Sequence, residues 1–331
     1  MDLATILASL VSSGVISLGA ARWLTTRLVD HRLSKDLKDY QAALDSKLAV
    51  TKSELDGQVA TAKANVDAAL RRSVEEYLGD QAAERQYRLE ARKRLYGAIG
   101  PLRFQLIVAC DDFAGRIRRI GEGKQPYATS LKAYFGRSTV FRLLRLYGIT
   151  ELIARQTAAA DFSVDPSMTE LLRFKHESFR CMSSSTIALD HPAANWDTQV
   201  EHVFYDRLSM IAAAMIVSDD VLKQSRVMRF EEFNAFVSHQ AGLKKIQPIP
   251  RLMRRFAVDA TPILWVRFVA LARLCSTFAG HEGPVVGLRP ETFDGPAMLR
   301  ASSDSFLQAH HDRYRRVLDE IDAALAPRRP S

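Results

Sequence analysis

The chain has 331 residues, 47% of them hydrophobic and 25% charged, and a formal charge of +8. That length allows one large or two modest cores, and that balance excludes wholesale disorder. Cys110, Cys181 and Cys275 form no CxxC pair, which excludes a disulfide framework and a thiolate zinc site and fits buried thiols in a reducing compartment.

The first element is a run without charge, LATILASLVSSGVISLGAA, 19 residues from Leu3 to Ala21. At about 1.5 Å per helical residue it matches a bilayer hydrocarbon core. A cleaved signal peptide would carry cations ahead of the apolar run, and here only Met1 and Asp2 precede it. Trp23 and the cations Arg22, Arg27 and Arg32 follow it, so the positive-inside rule puts the N-terminus outside and the rest in the cytoplasm. The expectation is a single pass through a membrane. Ser13, Gly14 and Ser17 give this helix a small-residue face on which copies could pack or line a pore. The segment from Ala260 to Gly280 is also apolar, but Arg267 and Arg273 argue against a second span.

From Leu24 to about Ala98 there is no proline, and charged residues and alanines favour helix. Leu33, Leu44, Leu55, Val66 and Tyr77 recur every eleven residues, as do Leu37, Leu48, Val59 and Leu70. Eleven residues in three turns is about 3.67 per turn, the period of a nearly straight or mildly right-handed bundle. So thin a stripe cannot stabilise a lone helix, so self-association is the expected way to bury it. Contact with lipid is the competing use of such a repeat.

Beyond this rod, Gly100–Pro101 predicts a kink or break. Helices are then expected over about 102–119, 138–157, 166–182, 197–217, 226–240, 251–278 and 303–325, with capping residues at Ser138, Asp165 and Asn195. Alternating runs rich in valine and isoleucine are absent, so the expected fold is all-α. The domains read as 1–23 transmembrane helix, 24–98 oligomerising helix, 99–326 basic helical domain and 327–331 mobile tail.

Positive charge gathers in two places. Between Phe113 and Thr150, eight lysines and arginines face Glu122 alone; between Leu243 and Arg273, seven face Asp259 alone. Arg137, Arg142 and Arg145 in the first segment and Arg251, Arg254 and Arg255 in the second are the candidate ligands for an anionic signal. Ser138 and Thr139 offer hydroxyls beside them. Tyr134, Phe135, Phe141, Tyr147, Phe256 and Trp265 could stack on bases where exposed. Anionic lipid and plain solvation are the competing roles for these cations.

No catalytic motif is present: no GxSxG elbow, no HExxH, and no phosphate loop at Gly121–Lys124. Asp190, His191, Asp197, Glu201, His202 and Asp206 form the nearest thing to a metal or acid–base cluster, but such residues usually cap or solvate helices. His310 and His311 read as a solvated face. The expectation is a non-enzyme without metal or cofactor.

The order of parts and the SxxxRLLR-type segment FGRSTVFRLLRLYGITELIAR (Phe135–Arg155) resemble bacterial membrane effectors of antiphage defence, in particular the channel-forming effector of the Hailong system. That resemblance implies a homo-oligomeric, gated ion channel in contact with lipid. Its signal would be an oligonucleotide ligand made by a partner nucleotidyltransferase. No gate or ligand residue is carried over individually. The alternative is a membrane-tethered, non-conducting scaffold that holds a partner protein at the bilayer.

Overall fold

The computed structural model describes residues 29–123, 128–158, 165, 168–188, 190–197, 201–219 and 224–325. The expected anchor 1–23 with Ser13, Gly14 and Ser17, and the tail 327–331, lie outside the described residues, as do the side chains of Leu33 and Leu37. The chain divides into two units, Met1–Glu84 and Arg85–Ser331.

One helix, α1 (Val29–Gly121), contributes to both units. In the first unit every described side chain, from residue 38 to 84, is exposed. Among the described residues nothing covers the stripe: Leu55 is 58% exposed, Val66 64% and Leu70 61%. What holds this stretch helical within one copy is local, namely alanine-rich composition and the backbone ladder.

Pro101 lies inside α1, so of the predicted kink or break at Gly100–Pro101 the break does not occur. Both Pro101 and Gly97, whose carbonyl the proline cannot meet, sit on the exposed side, where water can serve that carbonyl. On the opposite face Leu95, Ile99, Leu102 and Leu106 are buried and hold the helix through the lesion. The helix ends at Gly121, where a Cβ would lie 2.7 Å from the Met298 sulfur, followed by Gly123 with a φ of 62°.

The other α-helices and strands described in the second unit are α2 (Tyr134–Thr157), α3 (Met168–Ser183), α4 (Tyr205–Ala214), β1 (Ile216–Asp219), β2 (Gln224–Val227), α5 (Phe230–Ser238), α6 (Gln240–Lys245), α7 (Ile249–Arg255), α8 (Pro262–Glu282), α9 (Gly295–Leu299), α10 (Ser305–Ala309) and α11 (His311–Leu325), with short 3-10 turns at Ser185–Ile187 and Gly283–Val286. The unit is mostly helical, and among the described residues one hairpin departs from the all-α expectation. The predicted helix 197–217 is only α4, and its end turns into an antiparallel hairpin pairing Ile216 with Val227 and Asp219 with Gln224. Gly148 of α2 admits this hairpin, because a Cβ there would meet the Met215 Cβ at 2.9 Å and a Val227 methyl at 3.1 Å. Arg226 pins it from the side, its Nε donating to Asp219 at 2.9 Å and its Nη1 to Glu232 at 2.7 Å.

Two further predicted helices are split. The segment 251–278 breaks over residues 256–261, where Pro262 opens α8, and 303–325 breaks at His310 between α10 and α11. Ser138 does not cap α2, which begins a turn earlier, and Asn195 accepts from the Asp197 N–H without starting a helix.

α8 is the centre of the unit. Phe268 meets Phe113 of α1 edge-on at 6.1 Å and Phe256 at 5.0 Å, and Phe278 meets Phe174 of α3 at 4.6 Å. With the turn after it, Pro262–Val286 is the described segment long and apolar enough to cross a membrane, yet 78% of its most apolar window is buried within the protein. Arg267 is buried inside it and Arg273 pairs with Asp322 of α11 at 2.6 Å. Those contacts make it a core helix.

Candidate anion-binding cleft

Between α1 and α2 lies a polar cleft of about 170 Å³. α1 supplies Asp111, Asp112, Gly115, Arg116, Arg118 and Arg119, α2 supplies Arg142, and Glu291 closes one side. The α1 residues are spaced three, four and seven apart, so one face of the helix presents them together. α2 is held against them by its apolar side, where Val140, Leu143, Leu144 and Tyr147 are buried.

Arg116 is 7% exposed; its Nη2 donates to the Ser138 hydroxyl at 3.2 Å and its guanidinium lies 4.2 Å from the Phe135 ring centre. Arg142 donates to the same Ser138 hydroxyl and to the Ser138 carbonyl at 3.4 Å. Arg145 reaches Asp112 at 3.4 Å, and Arg118 pairs with Glu291 and, at 3.9 Å, with Glu122. Arg119 is exposed at the rim. Burial, and next the adjacent Asp112 charge, raise the Asp111 carboxyl above its ordinary value, with Arg118 opposing.

The predicted residues divide accordingly. Arg142 lines the cleft and Arg145 flanks it. Arg137 is half-buried, with its Nε enclosed and no partner for that atom among the described residues. Arg251, Arg254 and Arg255 are exposed on α7 and are not among the residues lining the cleft. The Thr129 hydroxyl, which donates to the Phe256 carbonyl at 2.9 Å, ties the end of α7 to the loop that leads into α2. Ser138 and Thr139 are not free for a ligand: Ser138 serves Arg116 and Arg142, and the Thr139 hydroxyl donates back to the Phe135 carbonyl at 2.8 Å. The expected stacking platform is also largely absent, since Tyr147, Phe256 and Trp265 are buried in the core.

Sequence reasoning missed the carboxylates. Asp111 and Asp112 precede the basic window by two positions and one, and Glu291 arrives from far along the chain. Four arginines against three carboxylates leave the cleft only mildly positive. The i, i+4 relation of Asp112 to Arg116 on a predicted helix was the signal available.

The acid–histidine cluster is dispersed. His191 pairs with Asp304 at 3.1 Å, Asp206 lies in the first turn of α4, and Glu201 caps α8 by accepting from the Leu264 N–H at 2.9 Å. Among the described residues no group of three metal-ligating side chains forms. The two adjacent histidines are not a solvated face either: His310 stacks on Phe306 at 4.1 Å and His311 lies 3.2 Å from the Pro296 carbonyl.

No protein-family model, no curated protein and no solved structure matches this chain.

Proposed function

We propose that this protein is a homo-oligomeric membrane effector: copies associate through the rod of α1, an N-terminal span anchors them, and the α1–α2 cleft takes an anionic ligand. The observation that carries the reading is the exposed apolar stripe. Leu44, Leu48, Leu55, Val59, Val66, Leu70 and Tyr77 stand in water along one face of a helix, with nothing among the described residues of its own unit to cover them. A helix this long with such a stripe is stabilised by a bundle partner, and a second copy carries the matching period.

The cleft supports the ligand half of the reading. An anion lying between Arg116, Arg119 and Arg142 would make charge-assisted hydrogen bonds, and Arg118 and Arg145 hold the neighbouring carboxylates Glu291 and Asp112. The resemblance to the Hailong effectors supplies the form of the output, a gated channel of antiphage defence that responds to an oligonucleotide. Physically, the ligand acts by binding one arrangement of the bundle better than another.

The test is reconstitution of the full chain in liposomes with an encapsulated ion-sensitive dye. The reading predicts a flux that short DNA or RNA oligomers change, and loss of that response in the Arg119→Glu, Arg142→Glu double variant. Membrane insertion without any flux, with or without oligomer, would contradict the channel and leave the tethered scaffold. A wild-type response in the double variant would remove the cleft as the site.

A further inference from the structure

A second corner of the domain, away from the cleft, has more hydrogen-bond donors than it uses. α8 is 21 residues long, and its N-terminal N–H groups converge on one carboxylate, Glu201, which accepts from Leu264 at 2.9 Å and also from Ile263. A turn further on is Arg267, fully buried. Side chains on a helix lean toward its N-terminus, which brings this guanidinium toward the same end. Its Nη1 donates to the Cys181 carbonyl at 3.0 Å, but Nε and Nη2 have no partner among the described residues. His202, 3% exposed, likewise has an Nε2 without a partner.

Two of these groups, Glu201 and His202, line a cavity of about 10 Å³, room for a single water, together with Ala188, Asn195, Trp196 and Ile263 of α8; Arg267 is not among its lining residues. Trp196 is its outer wall, 38% exposed, with its ring 4.7 Å from the His202 ring and 5.7 Å from the Arg267 guanidinium. The other carboxylate of this corner, Asp304, is engaged by His191 at 3.1 Å. Among the described residues Glu201 is the carboxylate whose charge acts on Arg267, and it accepts from the helix end.

A buried guanidinium with two unmet donors costs several kcal/mol unless something accepts from it. A helix N-terminus beside it is a ready anion site. Glu201 fills the helix end but leaves Arg267 and His202 short of acceptors, whereas a tetrahedral oxyanion has oxygens for all of them. We propose that the N-terminus of α8, with Arg267 and His202, is a binding site for a phosphate-type oxyanion. Glu201 is its resident intramolecular occupant, and Trp196 is the flap that must swing out to admit the ligand. The cavity is too small for phosphate with Glu201 in place, so binding and displacement of that carboxylate are one event. Burial lifts Glu201 above the ordinary carboxylate value, with the backbone N–H groups of Leu264 and Ile263 opposing.

The experiment uses inorganic phosphate as the probe and the full chain in an Arg119→Glu, Arg142→Glu background, so that the α1–α2 cleft cannot supply the signal. Phosphate binding is measured by calorimetry and by tryptophan emission, with chloride at equal ionic strength as the control. The Glu201→Ala variant is expected to bind phosphate roughly tenfold or more tightly than its parent, about the worth of one added charge-assisted hydrogen bond. Trp196→Phe should abolish the emission change and keep the heat. Adding Arg267→Lys to Glu201→Ala should lose the gain while the fold, followed by circular dichroism, survives. If Glu201→Ala does not fold, Glu201→Gln removes the charge at constant size and gives the same comparison. Equal and negligible phosphate binding in parent and Glu201 variants overturns the proposal, as does a gain indifferent to Arg267→Lys. Neither outcome touches the rod or the cleft.

Discussion

Truncating one leucine of the rod stripe gives a quantitative prediction for self-association. Leu55→Ala keeps the best helix-forming residue at that position, so the helix of one copy is preserved and only the seam changes. The substitution removes three carbons, worth about 0.8 kcal/mol each when moved from water to a packed interface. Leu55 is 58% exposed in one copy, so an interface can bury only that remaining share, or roughly 1.4 kcal/mol per side chain. In a dimer the loss occurs twice, giving about 3 kcal/mol and a roughly 100-fold weaker dissociation constant. Leu70 lies fifteen residues on and is 61% exposed, so Leu70→Ala should cost about the same and the double variant about the sum. Sedimentation velocity on detergent-solubilised protein over a concentration series reads these constants, and the melting of the second unit is the control. Dissociation constants within threefold of the parent in the double variant, with helix content unchanged, would refute burial of this stripe between copies.

Three further outcomes follow from the second unit. Pro101→Ala restores an N–H to the Gly97 carbonyl on the exposed side of α1 and should stabilise the fold by about 1–3 kcal/mol, seen as a higher denaturant midpoint; no gain would mean the lesion is already relieved there. Burial, and next the Arg267 charge, hold His202 at about 4 against an ordinary 6.5, so between those values the unfolded chain takes up a proton that the folded one refuses. Stability is full above pH 6.5 and falls toward pH 4, by up to roughly 3 kcal/mol, and His202→Gln should flatten that limb of the chemical-denaturation profile; an unchanged slope would assign it to other groups. Cys110, Cys181 and Cys275 are all buried, and burial raises the thiols of Cys181 and Cys275, so a disulfide reagent should label none of the three in the native protein and all three in denaturant; rapid native labelling of any would contradict the packing around α8.

What the sequence made legible follows from where the physics is local. The helical run of α1 could be read because helix-favouring composition acts locally, and α8 was visible as an apolar stretch whose two arginines argued against lipid. The hairpin was not legible: its strands are four residues each, and it exists because Gly148, far earlier in the chain, leaves room for Met215 and Val227. The continuity of α1 through Pro101 was hidden for a related reason, since the proline is tolerable only because it falls on the solvent side, a fact set by which face the rest of the unit covers. At the cleft, counting charges along the chain found the arginines but not their partners. Asp112 pairs with Arg145 across two helices and Glu291 with Arg118 across most of the domain, so the net charge of the site is a tertiary quantity. Arg267 was read only as an argument against a span, and its unmet donors appear only once Trp196 and His202 are packed beside it.

Cysteine cross-linking of the full chain in native membranes bears most directly on a membrane-held oligomer. Leu55→Cys and Val66→Cys stand on the exposed stripe, and the native thiols are buried and silent. The account predicts that the protein sediments with membranes until detergent is added, and that oxidation links either variant into covalent dimers while a cysteine on the opposite face, at Ser53, does not cross-link. Recovery in the aqueous fraction as a monomer, with no cross-link at either stripe position, would contradict it.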